Sequence, residues 1–207
     1  MFSNNLLMAA AGGGGAAYEV ENSIRLNDDD SANMSWTPSS AADSATVGTF
    51  STWFKLGNLP SATPTMVLYE TGASSNNRFS IQLGAGNTLI VYGADGGATI
   101  VFTTDMVFRD VTSWYNLVVN WDTASSPYMK MWINGVEPSY SVDNSANLSG
   151  ESMATFENSV AQYLWSWENS SNYLDGYASQ TVGIDGTAYN ATKFGEFDDE
   201  GEWRNIN

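Results

Sequence analysis

Large apolar side chains alternate with smaller or polar ones in the middle of the chain, between residues 114 and 136. Every second residue is apolar in two runs, the first with Tyr115, Leu117, Val119 and Trp121 and the second with Met129, Met131 and Ile133. A period of two places each set on one face of an extended strand. Asn134 and Gly135 tolerate the positive φ angles of a tight type I′ turn. The pattern predicts antiparallel strands, with a third strand beginning at Val136.

Similar short runs continue along the chain from Ser23, separated by turns rich in glycine and asparagine. They predict twelve strands, at 23–27, 32–37, 47–56, 64–70, 78–83, 88–93, 98–102, 113–122, 128–134, 136–141, 160–166 and 174–183. One helical turn is predicted at 190–195, with Asn190 as its N-cap and Gly195 at its end. A single flat sheet would expose an apolar face, so we predict an all-β, antiparallel two-sheet jelly-roll sandwich.

The predicted core consists of large apolar residues on these strands: Phe50, Phe54, Leu56, Leu117, Val119, Trp121, Met131 and Ile133. Trp53 and Trp132 alternate with core residues and therefore point to the opposite face of their sheet. Two interpretations stay open for these tryptophans. They lie beneath a loop, or they form a contact with another subunit.

Four segments resemble, in order, the strands of laminin-G-like domains in the concanavalin A-like lectin/glucanase superfamily. They are "SIRLNDDDSANMSW" (23–36), "FSTWFKLGNL" (50–59), "WYNLVVNWD" with "MKMWINGVE" (114–137), and "YLDGYASQTVGIDGTAYNATKFGEF" (173–197). The resemblance implies one laminin-G-like sandwich over residues 23–207. The runs "RLNDDDSA" and "DGTAYNATKFGEFDDEGEW" are similar to laminin-G-like domains in structural proteins of tailed phages, which implies a virion protein.

Residues 1–22 differ from the rest, because a few apolar side chains are followed by a run of glycine and alanine. No Lys or Arg precedes Arg25, which argues against a secretory signal. One interpretation is a flexible leader that never packs. The other is an arm that becomes ordered when it docks on a partner protein. The docking residues of such an arm are Phe2, Leu6, Leu7 and Met8.

Composition narrows the classes of function. A chain of 207 residues suits one all-β domain. It contains no cysteine and no histidine, so disulfides, thiolate chemistry and the commonest general base are all excluded. A net charge of −16, with only seven Lys and Arg, argues against binding to nucleic acid and to anionic membranes. We expect a protein that is not an enzyme and does not insert into membranes.

An acidic run near the end of the chain suggests hydrolysis, because glucanases of the resembled superfamily carry a Glu-x-Asp-x-(x)-Glu strand. Here the run is Glu196-Phe197-Asp198-Asp199-Glu200. Retaining glycosidases need two carboxyl groups about 5 Å apart. Asp199 stands where an apolar residue would face the core, and glycines bracket the run. We therefore predict an acidic loop and no catalytic residues.

Asp28 and Asp30 belong to a cluster of hard oxygen ligands, and many laminin-G-like domains hold a calcium ion on the rim of the sandwich. Calcium needs about six to eight oxygens from converging segments. The default interpretation is a solvated turn. No cofactor is expected otherwise; if a metal binds, Asp28 and Asp30 are the first candidates, with Asp122 as a second.

Four aromatic residues lie close together beside amides and a carboxylate: Tyr163, Trp165, Trp167 and Tyr173. Aromatic faces beside polar groups can bind sugar rings. The simpler interpretation is one face of a strand, since residues 163–167 alternate with a period of two.

Two hypotheses follow. In the first, the protein is a non-enzymatic structural protein of a tailed phage, either a capsid decoration or a tail or fibre component. It would be assembled in the host cytoplasm, displayed on the virion surface, docked to other virion proteins by its arm and self-associated. In the second, it is a carbohydrate-binding adhesin for host-surface glycans.

Overall fold

The protein is an all-β sandwich, seen here in a computed structural model that describes residues 22–60, 66–74, 77–95, 98–153, 155–157, 159–168 and 171–206. The described strands are β1 (Ile24–Leu26), β2 (Met34–Trp36), β3 (Val47–Leu56), β4 (Met66–Ser74), β5 (Asn77–Leu83), β6 (Thr88–Asp95), β7 (Ala98–Val107), β8 (Tyr115–Asp122), β9 (Met129–Ile133), β10 (Tyr140–Asp143), β11 (Gln162–Leu164), β12 (Gly176–Asp185), β13 (Gly195–Phe197) and β14 (Trp203–Asn205). Short 3₁₀ turns occupy Asp28–Asp30, Ser145–Leu148 and Ala191–Lys193. The predicted docking arm lies outside the described residues, apart from Asn22.

The strands form two large antiparallel sheets and one small hairpin. The first sheet has five strands in the order β1-β12-β3-β8-β9, and the second has seven in the order β10-β7-β6-β5-β4-β11-β2. Strands β13 and β14 pair only with each other. The two-sheet jelly-roll prediction is confirmed. Eleven predicted strands each coincide with one observed strand, and the one predicted at 136–141 overlaps β10 only at residues 140 and 141. Strands β13 and β14 were not predicted.

The core lies between the two sheets and is rich in aromatic rings. Phe50 on β3 stacks on Tyr69 on β4 with ring centroids 4.9 Å apart, which joins the sheets directly. All eight predicted core residues are buried in this cluster. Gly48 lies against the indole of Trp121, so the close approach of that ring requires a residue without a side chain.

The turn at Asn134 and Gly135 is present, but the prediction that a strand begins at Val136 is wrong. Both turn residues have positive φ, 48° and 77°, as a type I′ turn requires. Val136 then forms only one bridge, to Ile133. Pro138 lacks a backbone N–H and cannot extend the ladder. The next strand, β10, pairs with β7 in the other sheet.

The C-terminal segment covers the outer face of the five-stranded sheet. Asn190 caps the 3₁₀ turn as predicted, accepting a hydrogen bond from the backbone N–H of Thr192 at 3.2 Å. On β14, the buried Trp203 donates its indole N–H to Asn116 Oδ1 at 3.0 Å. Trp53 and Trp132 pack against the cluster that contains Trp203. They therefore lie beneath this segment, as the first of the two interpretations predicted.

Candidate functional site

The outer face of the seven-stranded sheet carries a row of polar and aromatic side chains. Register places Tyr163 on β11 opposite Glu70 on β4, Glu70 opposite Ser80 on β5, and Ser80 opposite Tyr92 on β6. Glu70 alternates with Tyr69, whose ring lies in the core. The row consequently faces away from the core, although Glu70 is only 1% exposed. A covering segment must shield it.

Residues 165–168 and 171–174 provide the cover. Trp165 donates its backbone N–H to the carbonyl of Leu68 at 3.3 Å, and Leu174 donates to the carbonyl of Trp165 at 3.0 Å. Between them Trp167 and Ser171 exchange two backbone hydrogen bonds. The segment is thereby fixed along β4 and extends over the row.

Trp165 does not belong to an exposed aromatic platform, so this part of the predicted sugar site is wrong. Its side chain is 3% exposed and packs in the main core. The cause is backbone geometry, because β11 ends at Leu164 and Trp165 has a φ of 66°. The alternation expected for an extended strand stops there, and the ring turns inward.

Trp167 lies over a guanidinium. The Arg78 Cζ atom is 4.1 Å from the centroid of the Trp167 ring and 4.3 Å from the centroid of the Tyr92 ring. Both contacts are well within the range of a cation–π interaction. Among the described residues, Arg78 has no ion-pair partner and its buried Nε has no hydrogen-bond partner. The cation is held by two aromatic rings and keeps hydrogen-bonding capacity.

Glu70 is the second charged group of this site. Its Oε2 accepts a hydrogen bond from the backbone N–H of Glu168 at 3.0 Å. Burial raises the pKa of Glu70 from 4.5 to about 7, and the hydrogen bond and Arg78 oppose this shift only in part. The Glu168 carboxylate raises the pKa further. Near neutral pH, therefore, a small change in pH changes the charge of the site.

The structure thus brings together only some of the predicted aromatic residues. Trp167 and the half-buried Tyr163 lie at the site, and Tyr173 is half-buried on the covering segment. Arg78, Tyr92 and Glu70 were not predicted. The sequence contained one indication of this site, because Arg78 is the only cationic residue between Lys55 and Arg109.

The predicted metal ligands lie in tight turns. Asp30 Oδ2 accepts a hydrogen bond from the Asn27 amide at 2.9 Å, and Asp28 Oδ1 accepts one from the backbone N–H of Asp29 at 3.0 Å. Asp122 similarly accepts from the backbone N–H of Ala124. In the described part of the chain, no three metal-binding side chains come together. Calcium binding stays a prediction.

The acidic run forms a hairpin rather than a free loop. Glu196 lies on β13 opposite Arg204 on β14. Asp198 accepts hydrogen bonds from the backbone N–H groups of Glu200 and Glu202 and from Arg204 Nε, at 3.1, 2.8 and 2.8 Å. These bonds lower the pKa of Asp198, the one from Arg204 most strongly. The Asp198 carboxylate holds the turn together.

Comparisons with known proteins agree with this architecture. A family model described as "Concanavalin A-like lectin/glucanases superfamily" matches residues 27–178. No curated protein matches the sequence. Within the described residues, no helix has the length and apolarity needed to cross a membrane.

Several solved structures are similar in fold at low sequence identity. The CBM40 of a Ruminococcus gnavus IT-sialidase has a TM-score of 0.53 at 11% identity, with 83% of this chain and 95% of that chain covered. The same CBM40 bound to alpha2,3 sialyllactose gives 0.50 at 10% identity, with the same shares covered. The NanB sialidase of Streptococcus pneumoniae gives 0.52 at 17% identity, with 83% of this chain but only 26% of the sialidase covered. At such identities the likeness concerns the fold alone.

Proposed function

The chain belongs to the concanavalin A-like lectin/glucanase superfamily, and from this premise we propose that it is a non-catalytic domain that binds acidic glycans. The observation that carries the proposal is the Arg78 guanidinium between the rings of Trp167 and Tyr92. The structurally similar CBM40 was solved with alpha2,3 sialyllactose, a glycan with a carboxylate.

The geometry suits a carboxylated sugar for two reasons. A guanidinium presents several donors in one plane and pairs well with a carboxylate. The two rings fix the orientation of that plane, so little side-chain entropy is lost on binding. The protein as a whole carries a net charge of −16, which repels anions. Selective binding of an acidic glycan would therefore depend on this local cation.

Isothermal titration calorimetry with alpha2,3-sialyllactose and with lactose tests the proposal. We expect saturable binding of sialyllactose, weaker binding of lactose, and loss of about 10-fold or more in affinity for Arg78→Gln. Arg204→Gln is the matched control, because it removes an exposed cation from the C-terminal hairpin. Equal binding of the two sugars, or an unchanged affinity in Arg78→Gln, would refute the proposal.

We also propose the biological setting that the sequence resemblance implies, a virion protein of a tailed phage that displays this domain on the particle surface. Its support is the similarity of "RLNDDDSA" and "DGTAYNATKFGEFDDEGEW" to phage laminin-G-like domains. Exposed apolar side chains also lie close to the start of the described chain, with Ile24 42% and Met34 51% exposed. Both line a groove with Asn22, which is the last residue of the arm.

Particle incorporation tests this setting separately from glycan binding. We expect the 207-residue chain to be detected in purified virions by immunoblot, and a chain lacking residues 1–22 to be lost from them. The deleted chain should keep the cooperative urea transition of the intact chain, which shows that it is folded. Incorporation of the deleted chain at the normal level would argue against docking by Phe2, Leu6, Leu7 and Met8.

A further inference from the structure

A cavity opens on the outer face of the five-stranded sheet, between β3, β12 and the C-terminal segment. Its volume is about 220 Å³, and its walls include Trp53, Gln180, Lys193, Phe194 and Asn205. Trp53 and Phe194 belong to the small apolar cluster around Trp203. This cavity shares no residue with the site around Arg78, which lies on the other sheet.

A β-bulge shapes one wall of the cavity. The register between β12 and β3 shifts between Ser179 and Val182, and Gln180 has a φ of 46°. Thr181 forms a hydrogen bond with Thr52 through the two hydroxyl groups at 2.8 Å, which holds the bulge in place. Bulges of this kind redirect a side chain and are frequent beside functional sites. Here the bulge places Gln180 in the wall.

Two residues of the wall carry buried hydrogen-bond donors. Trp53 Nε1 and Asn205 Nδ2 are buried, and neither has a hydrogen-bond partner among the described residues. Buried donors normally find partners, because leaving one unpaired is unfavourable. Lys193 adds an exposed ammonium group. A ligand with acceptor oxygens and a negative charge complements Lys193 and the amide of Gln180.

The size of the cavity restricts the ligand further. Sites for drug-sized ligands have volumes of about 300–1,000 Å³, so 220 Å³ suits a single sugar ring. Such a ring has apolar C–H faces and polar edges, which matches the aromatic and amide walls. We propose that this cavity binds one carboxylated monosaccharide unit, with its carboxylate at Lys193 and its ring against Trp53 and Phe194.

The consequence is a domain with two glycan sites, one on the outer face of each sheet. This inference goes beyond the proposed function, since it concerns a separate site and does not need Arg78. Two sites on opposite faces could engage two glycan chains at once. Binding to a dense glycan surface would then exceed the affinity of either site alone.

Nuclear magnetic resonance tests the second site directly. We would titrate ¹⁵N-labelled protein with sodium glucuronate, using glucose as the neutral probe, and follow the indole N–H signal of Trp53. The signal is assigned by its absence in Trp53→Phe. We expect a saturable shift with glucuronate and an affinity about fivefold lower in Lys193→Gln. Lys130→Gln, an exposed cation on β9 of the same sheet, is the matched control.

The outcomes separate the two proposals. Arg78→Gln should weaken sialyllactose binding by about 10-fold or more and leave the glucuronate shift of Trp53 unchanged. An unmoved Trp53 signal at the highest glucuronate concentration would overturn the second site. Equal affinities for glucose and glucuronate, or an unchanged affinity in Lys193→Gln, would overturn its preference for a carboxylate.

Discussion

Replacing Glu70 by glutamine is expected to make the protein more stable at alkaline pH. The Glu70 carboxyl is buried beneath the covering segment and its pKa is raised to about 7 by burial. Above this pKa the folded protein must hold a buried negative charge. Glutamine has nearly the same shape, carries no charge and retains an oxygen that can accept the hydrogen bond from Glu168.

The magnitude follows from the pKa values of the folded and unfolded states. A raised pKa means that the folded state binds the proton more tightly than the unfolded state. The stability that Glu70 contributes is then fully present below about pH 4.5 and is lost as pH rises to about 7. At about 1.4 kcal/mol per pH unit, the loss amounts to about 3 kcal/mol. Glu70→Gln should therefore exceed the wild type by up to about 3 kcal/mol at pH values above 7.

Urea denaturation followed by tryptophan fluorescence measures this difference across the pH range. For a domain of this size, about 3 kcal/mol also corresponds to an increase of about 6–12 °C in Tm. Glu196→Gln is the control, since it removes an exposed carboxylate from β13. If wild type and Glu70→Gln lose stability in parallel between acid and alkaline pH, Glu70 is not the group responsible and the reasoning fails.

Three further predictions concern packing and binding. Gly48→Ala should lower the free energy of unfolding by about 1–3 kcal/mol in urea titrations, because the new methyl group meets the Trp121 indole. Its control, Gly86→Ala in an open turn, should lower the free energy of unfolding by less than about 1 kcal/mol. Trp203→Ala should cost about 3–5 kcal/mol by the same assay, whereas the exposed Trp36→Ala should change stability by less than about 1 kcal/mol. Sialyllactose affinity, measured by calorimetry, should rise as pH falls through about 7, because the buried carboxyl on β4 loses its charge beside the guanidinium.

The sandwich was predictable because its strands carry a local signal. The alternation in β8 and β9 assigns both the strand type and the buried face, and every predicted core residue is buried. The hairpin of β13 and β14 was missed because its strands, Gly-Glu-Phe and Trp-Arg-Asn, are short and show no alternation of apolar and polar residues. Turn chemistry at Gly135 was also predictable. The course of the chain after Gly135 was not predictable, because the next strand, β10, pairs with β7 in the other sheet.

The candidate site was less predictable, since it assembles three distant segments. Trp167 was identified from its neighbours in sequence, but its contact with Arg78 and Tyr92 depends on the register of β5 and β6. Trp165 was misplaced for a different reason. A positive φ at a residue other than glycine is uncommon and leaves no mark in the sequence. Glu70 stood out only as a charge in an apolar strand.

The position of β12 between β1 and β3 determines how this domain folds and whether it can be divided into fragments. Residues 24 and 178 are direct partners, and Arg25 is joined to Asp175 by an ion pair of 2.6 Å. Strands from the N-terminal and C-terminal parts of the chain are thus neighbours within the five-stranded sheet, so neither half of the chain can form a complete sheet alone. Such a protein should acquire its structure as one cooperative unit and relatively slowly, since its pairings are non-local. N-terminal and C-terminal fragments should each be unfolded alone and should fold only when they are mixed.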